Sequence, residues 1–309
     1  MTDQGRFTDE TERFRRELIA FCYRMVGSVS DAEDLVQDAY LRAWRAYGAF
    51  ERRASVRSWL YKIATNVCFT ALESRRRRVL PSGLGGPHDG DRPPTEVADA
   101  SWLEPFPDEP DPSTTMIARE SLRLALIASL QFLPARQRAI FILRELVAFS
   151  AEETAELLDT SIAAVKSGLQ RVRARLDELE PDREALLEPT DPRARELLDG
   201  YIAAFERADA SLLVRVLRAD ATLEATPFRD WQAGRVGCIR LLEKYIFGAP
   251  GDWRMVPTVA NGQPAAVVFR RDDHGAMQPN GIVVLSATAT GVSRVVAFHH
   301  DPRLGARFC

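Results

Sequence analysis

The chain is 309 residues long, enough for about two domains, and 46% of it is apolar, which is ample for ordinary globular cores. No run approaches the roughly 20 apolar residues of a membrane helix, and the opening MTDQGRFTDETERFRRE holds no apolar stretch resembling a signal peptide, so the expected compartment is the cytoplasm, with no membrane contact. The net charge of −3 hides an uneven distribution: residues 1–80 carry +4 and residues 81–113 carry −7, while the remainder balances.

Residues 9–78 read as helices, because apolar side chains recur at three and four, as in Val36, Tyr40, Ala43 and Tyr47, with Gly27 and Gly48 marking turns. Within them, Ser55 to Arg78 interleaves Trp59, Tyr61 and Phe69 with Arg57, Lys62 and Asn66, and four arginines, Arg75 to Arg78, close the helix. Cations that track a backbone beside aromatics that stack on bases are the components of a single-strand binding surface. Core packing accounts equally for Trp59 or Tyr61 taken alone, and an arginine run also suits the C-terminal dipole of a helix.

The segment from Pro81 to Pro112 holds eight of the 18 prolines together with glycines and acids, so it predicts an extended linker rather than a helix. Trp102 and Phe106 within SWLEPFPDEPDP are more than an idle spacer requires and suggest that this piece docks. Helical periodicity resumes from Thr114 to Leu179, where Pro134 is able to open a helix. Ser150 with Glu153 makes a capping box, and Ser161 is placed to cap a second helix after the short turn LDTS, the geometry of a helix-turn-helix.

In that second helix Val165, Leu169, Val172 and Leu176 form a buried seam, leaving Lys166, Gln170 and Arg173 on one strip with Ser167 and Arg171 beside it. Most charge runs are solvated faces. Here, however, every ionisable side chain from Lys166 to Arg175 is basic, which supplies donors for base edges and arginines for phosphates, as a recognition helix requires. After Pro181 the pattern changes to helices at Pro192–Ala208, Ser211–Leu217 and Arg235–Phe247, then the β-branched runs WRMVPTVA, AAVVFRR, GIVVLSATA and VSRVVAFHH, with Asn261-Gly262 and Asn280-Gly281 as turn signals. Helices followed by a strand meander indicate a separate α+β domain. Cys22, Cys68, Cys238 and Cys309 lie far apart and His299 and His300 are adjacent, so free thiols are expected and neither a metal nor a cofactor is.

DAEDLVQDAYLRAWRAY, SWLYKIATNVCFTALESRRRR and FLPARQRAIFILRELVAFSAEETAELLDTSIAAVKSGLQRVRARL, in this order and spacing, resemble the extracytoplasmic-function (ECF) class of bacterial sigma factors. The connector WLEPFPDE and the α+β domain resemble the subset with a fused SnoaL-like C-terminal domain, the SigG-like group. The resemblance implies a multi-domain chain: an all-α region 2 over 9–80, the acidic linker over 81–113, an all-α helix-turn-helix region 4 over 114–182 and an α+β SnoaL-like cone over 190–309.

It further implies docking of Asp34, Gln37, Asp38, Leu41 and Arg42 on the β′ clamp of core RNA polymerase, with region 4 on the β flap. From the residues alone, Asp38 and Arg42 are an ordinary i, i+4 pair. Trp59, Tyr61, Lys62, Asn66 and Arg75, Arg76, Arg77 and Arg78 correspond to the part that opens and holds the minus-10 element. Lys166, Ser167, Gln170, Arg171, Arg173 and Arg175 correspond to the reader of the minus-35 element. Gly168 departs from the pattern, since many relatives carry a basic side chain there, and its absence removes an expected phosphate contact. The acidic connector would pass through the polymerase cleft.

In the C-terminal domain Asp220, Glu224, Arg254 and His299 are the candidates for an acid- or histidine-based pocket, but nothing in their spacing demands chemistry, so a regulatory role is favoured and no catalysis is expected. Two other readings remain: a DNA-binding regulator that acts without polymerase, and a small-molecule enzyme or sensor fused to a DNA-binding module. No anti-sigma partner is identifiable from sequence.

Overall fold

The computed structural model describes residues 3–52, 54–74, 76–88, 93–108, 122–179, 185–299 and 303–308. The chain divides into two compact units, one of Met1–Arg78 with Thr114–Asp182 and one of Val79–Ser113 with Arg183–Cys309.

The first unit is helical. Helices α1 (Asp3–Thr11), α2 (Arg15–Val26), α3 (Val29–Ala46) and α4 (Val56–Ser74) surround a core that includes Leu18, Phe21, Val36, Leu60 and Tyr61. Gly27 ends α2 in the left-handed conformation (φ 74°), and its N–H donates to the Tyr23 carbonyl at 2.7 Å; Ser28 then caps α3, its Oγ accepting from Asp31 N–H at 3.1 Å. Cys22 and Cys68 meet inside this core with Sγ atoms 3.6 Å apart, and the hydrogen bond from Cys68 together with burial pushes the Cys22 thiol well above its ordinary range. Cys22 is thereby held as the thiol, and reactivity requires the thiolate.

Helices α5 (Leu124–Leu130), α6 (Ala135–Phe141), α7 (Ala151–Leu157) and α8 (Ile162–Leu179) complete this unit, with one π-helical turn, Ile142–Leu146, following α6. Arg138 on α6 joins the two helical groups. It is buried, donates to the carbonyl of Met25 in the last turn of α2, and reaches Gln131 Oε1 at 2.7 Å and the Gln131 and Leu133 carbonyls at 3.1 Å. Burial lowers its pKa to about 10, so the group stays cationic at neutral pH and the carbonyls around it offset the lost hydration.

The second unit is a six-stranded sheet in the order β2-β1-β6-β5-β4-β3, with helices α9 (Pro192–Glu206), α10 (Ser211–Val216) and α11 (Arg235–Tyr245). Strands β1 (Leu217–Thr226) and β6 (Gly291–Phe298) pair in parallel, whereas β2 (Trp231–Ala233), β3 (Trp253–Ala260), β4 (Gln263–Arg271) and β5 (Met277–Thr288) pair antiparallel with their neighbours. Leu223, Met255, Ala266, Val268, Leu285 and Val295 share one core with Leu197, Tyr201 and Phe205 of α9. Alternate residues on the other sheet face, Val267, Ile282, Val284, Val296 and Phe298, are also buried, so this sheet is covered on both sides.

Asn261 (φ 55°) and Gly262 (φ 64°) make the tight turn between β3 and β4, as their residue types predict. Asn280-Gly281 does not. It lies inside β5 at a register shift against β4, and a Cβ on Gly281 would fall 1.9 Å from the Phe298 carbonyl oxygen. The glycine there answers a close backbone approach rather than a turn. The β4–β5 turn is made instead by Asp272, whose Oδ1 accepts from the N–H groups of His274 and Ala276.

The covering of the second sheet face comes partly from the acidic connector. Trp102 and Leu103 are buried, and Leu103 N–H donates to the Val79 carbonyl. Phe106 exchanges bonds with Asn261 at the β3–β4 turn, and Val97 N–H donates to the Pro227 carbonyl just after β1. Helix α12 (Arg303–Ala306) lies beside β5 on this face, with Gly305 close to Val267. The aromatic signal in the connector is thus a docking signal.

Candidate nucleic-acid interface

Helices α7 and α8 form the helix-turn-helix. The capping box at α7 is complete: Ser150 N–H donates to Glu153 Oε2 at 2.7 Å, and Glu153 N–H donates to Ser150 Oγ at 3.1 Å. Asp159, at φ 46°, turns the chain, and Ser161 Oγ accepts from Ala164 N–H at 3.1 Å to begin α8. Val165, Leu169, Val172 and Leu176 face inward as the spacing requires.

Lys166, Gln170 and Arg171 are exposed along the first half of the opposite side, with Ser167 half-buried between them, and none of the three exposed side chains has an ion pair among the described residues. Arg173 and Arg175 are exposed but pre-paired, to Glu145 at 3.0 Å and Glu178 at 2.7 Å. A helix so arranged offers free donors at its N-terminal half and a cationic flank beyond it, the geometry for entering a major groove.

Gly168 belongs to neither group. It is buried, and a Cβ placed on it would lie 2.8 Å from Ile140 Cδ1 on α6. The expectation that this position faces phosphates is corrected: a side chain here would meet α6 before it met DNA, and the glycine permits close helix approach.

The residues assigned from sequence to the minus-10 element are less uniform. Asn66, Arg76 and Arg77 on and after α4 are exposed, Arg77 lying over the Phe132 ring at 4.2 Å, while Arg78 pairs with Asp31 at 2.6 Å. Arg76, Arg77 and Arg78 line a cavity of about 150 Å³ with Asp31 and Arg138. Arg75 lies outside the described residues. Trp59 is half-buried and stacks on Phe50 with centroids 4.5 Å apart.

Tyr61 departs from the expectation of an accessible aromatic. It is completely buried, edge-on to Phe21 and to Phe149, each with centroids 5.1 Å away, because α4 packs against α6 and α7. Burial drives its hydroxyl well above the ordinary phenol range. Lys62 is engaged too: its ammonium pairs with Asp159 at 2.7 Å and reaches the Glu156 carbonyl. Arg57, on the same flank, pairs with Glu17, donates to the Val147 carbonyl and lies 4.5 Å over Phe149.

On α3, Asp34, Gln37, Leu41 and Arg42 are exposed and Asp38 half-buried, with Arg42 and Asp38 paired at 2.9 Å. Leu41 is 50% exposed and Trp44, one turn on, 39%. Sequence reading missed Trp44. The signal was a large aromatic three residues from a leucine on a face otherwise polar, which is an unusual surface to leave in water.

The four C-terminal candidates do not converge. Asp220 is bound to Arg218 at 2.7 Å, Arg254 is exposed on β3, and His299 Nδ1 engages Asn280. Glu224 on β1 is buried and receives Arg294 Nε and Ser82 N–H, each at 2.7 Å. Three strands separate β1 from β3, a span of about 19 Å at ordinary strand spacing. No helix among the described residues is long and apolar enough to cross a membrane.

A DNA-reading helix-turn-helix behind a second helical module with an exposed basic terminus defines a class of promoter-recognition protein. In agreement, residues 11–78 match the model of Sigma-70 region 2 and residues 123–176 that of Sigma-70 region 4. The chain is 46% identical over 304 residues to the ECF RNA polymerase sigma factor SigG of Mycobacterium tuberculosis, covering 96% of this chain and 81% of that one. It is 30% identical over 218 residues to SigJ of the same organism, covering 69% of this chain and 62% of SigJ. The crystal structure of SigJ superposes with a TM-score of 0.66 over 96% of this chain and 98% of that one, at 23% identity, and so shares the fold across both units. The chain belongs to the ECF RNA polymerase sigma factors.

Proposed function

We propose that this protein binds core RNA polymerase, reads minus-35 and minus-10 promoter elements and initiates transcription, with its C-terminal domain modulating that activity. The observation that carries this reading is the open row of Lys166, Gln170 and Arg171 on α8, donors without ion pairs on a capped recognition helix. The row on α3, Asp34 to Arg42 with Leu41 exposed, is the polymerase-facing surface, held against the β′ clamp, and region 4 contacts the β flap. Asn66 takes an unpaired base, with Arg76 to Arg78 on the phosphates. The chain performs no covalent chemistry of its own, and it works in the cytoplasm, where polymerase and chromosome are.

In vitro transcription with core polymerase tests the reading. Asn66→Ala should slow open-complex formation while leaving duplex binding nearly intact, whereas Lys166→Ala should weaken promoters that depend on the upstream element by about 1–3 kcal/mol. Identical behaviour of the two variants would refute the division of labour, and failure of the wild-type chain to direct start-site selection would refute the reading itself.

A further inference from the structure

The cavity beside the end of α4 is cationic at both its rim and its floor. Arg76, Arg77 and Arg78 line it with Arg138 on α6, Gln131 just after α5 and Asp31 on α3. Arg76 and Arg77 are exposed, so they stand at the rim, whereas Arg138 is 5% exposed and forms the floor. Asp31 is committed to Arg78 at 2.6 Å. Four guanidinium groups against one carboxylate leave the lining with a net charge of +3.

The floor carries an unused donor. A guanidinium has five N–H groups. In Arg138 the four on the terminal nitrogens go to neutral acceptors: the Met25, Gln131 and Leu133 carbonyls and Gln131 Oε1. The fifth, Nε–H, is buried with no acceptor among the described residues. Neutral partners satisfy hydrogen bonds but leave the buried charge without a counter-ion, which is why burial draws this group's pKa down to about 10. The surroundings are held in place, since Gln131 Nε2 donates to the Ile127 and Arg24 carbonyls at 3.2 and 3.4 Å and Arg77 lies 4.2 Å over the Phe132 ring.

Size narrows the ligand. A volume of about 150 Å³ equals roughly five waters' share of liquid and is half the ~300 Å³ at which pockets begin to enclose a whole organic ligand. One tetrahedral oxyanion fits, and the body attached to it stays outside. We propose that this cavity binds the terminal phosphate of a small phosphorylated ligand, with Arg138 Nε–H donating from the floor and Arg76 and Arg77 closing on its oxygens at the rim. A terminal phosphate brings three unesterified oxygens and up to two negative charges. A phosphodiester within a nucleic-acid strand brings one charge and has chain on both sides, which a floor donor this deep does not accommodate. Where Arg76 to Arg78 serve the minus-10 phosphates, a ligand seated here withdraws them from the promoter; that consequence rests on the sigma-factor reading above, and the site itself does not.

NMR of the full-length protein with isotope-labelled arginine tests the site. Inorganic phosphate, titrated against chloride at constant ionic strength, should move the Arg138 Nε–H resonance saturably. Arg77→Gln should weaken the apparent affinity at least about tenfold, as expected for one charge-assisted hydrogen bond. Arg195→Gln, an equal loss of charge on an exposed part of α9, should leave it unchanged. A resonance that has not moved by about 10 mM phosphate, where a site with a Kd of about 1 mM is nine-tenths filled, overturns the proposal. Equal weakening by Arg77→Gln and Arg195→Gln overturns it too, because the response is then general screening. A dinucleotide with free hydroxyl ends and a single phosphodiester should not move the resonance; if it acts as strongly as phosphate, the terminal-phosphate assignment is wrong. The titration contains neither DNA nor polymerase, so its failure removes the site and leaves the sigma-factor reading to its own transcription assay.

Discussion

Helices α4 and α8 are nearly equal in length, 19 and 18 residues, and both carry basic residues that sequence assigns to DNA, yet they treat those residues differently. Helix α8 packs along one seam and leaves Lys166, Gln170 and Arg171 in solvent. Helix α4 packs on two sides, against α2 and α3 and also against α6 and α7, so that Tyr61 enters the core and Lys62 is held by Asp159. The difference teaches that a basic, aromatic helix displays only what its second packing surface does not consume. A residue pattern records the first surface more plainly than the second.

Stability measurements bring out this contrast most strongly at Tyr61. Tyr61→Ala should destabilise the first unit by about 4 kcal/mol in chemical denaturation, because a fully buried ring is replaced by a cavity. A change below about 1 kcal/mol would show that Tyr61 is not a core residue in solution. On α8, by contrast, Arg171→Ala should leave unfolding unchanged within about 0.5 kcal/mol and yet weaken binding to an upstream-element duplex by about 2 kcal/mol, with a shallower salt dependence. Loss of stability in that variant would mean that the two helices are not different in kind. The smallest effect is expected at Gly168→Ala, where about 1 kcal/mol of helix propensity is offset by displacement of the Ile140 methyl, leaving unfolding free energy and DNA affinity nearly unchanged.

Much of the architecture was legible. The seam from Val165 to Leu176, the Ser150–Glu153 capping box and the strands β3, β4 and β6 follow from local rules of period and capping and are found within two residues of where those rules place them, whereas β5 begins at Met277, four residues ahead of its expected start. What escaped depended on partners distant in sequence. Tyr61 meets Phe149, 88 positions away, and nothing near Tyr61 announces it. Gly168 reads as a missing cation because the sequence does not show Ile140 beneath it. Asn280-Gly281 has the residues of a turn, but the Phe298 carbonyl is what requires the glycine. At the candidate site, the exposed row on α8 was readable because it is the complement of a periodic seam; Trp44 on α3 was overlooked, because its spacing from Leu41 does not show that Phe7, 37 positions earlier, meets it edge to face and leaves it 39% exposed.

The connector's bonds to the loops of the C-terminal sheet change what a shortened version of this protein would be. Cutting after residue 189 removes the sheet and with it the Pro227 carbonyl and the Asn261 and Gly262 groups to which Val97, Phe106 and Asp108 are bonded. The fragment would carry Trp102 and Leu103, buried in the intact protein, into water on an otherwise anionic tether, and the discarded half would lose part of the cover on its second sheet face. Anyone dividing the gene should leave residues 79–108 with the sheet, or expect both halves to clump for reasons unrelated to transcription.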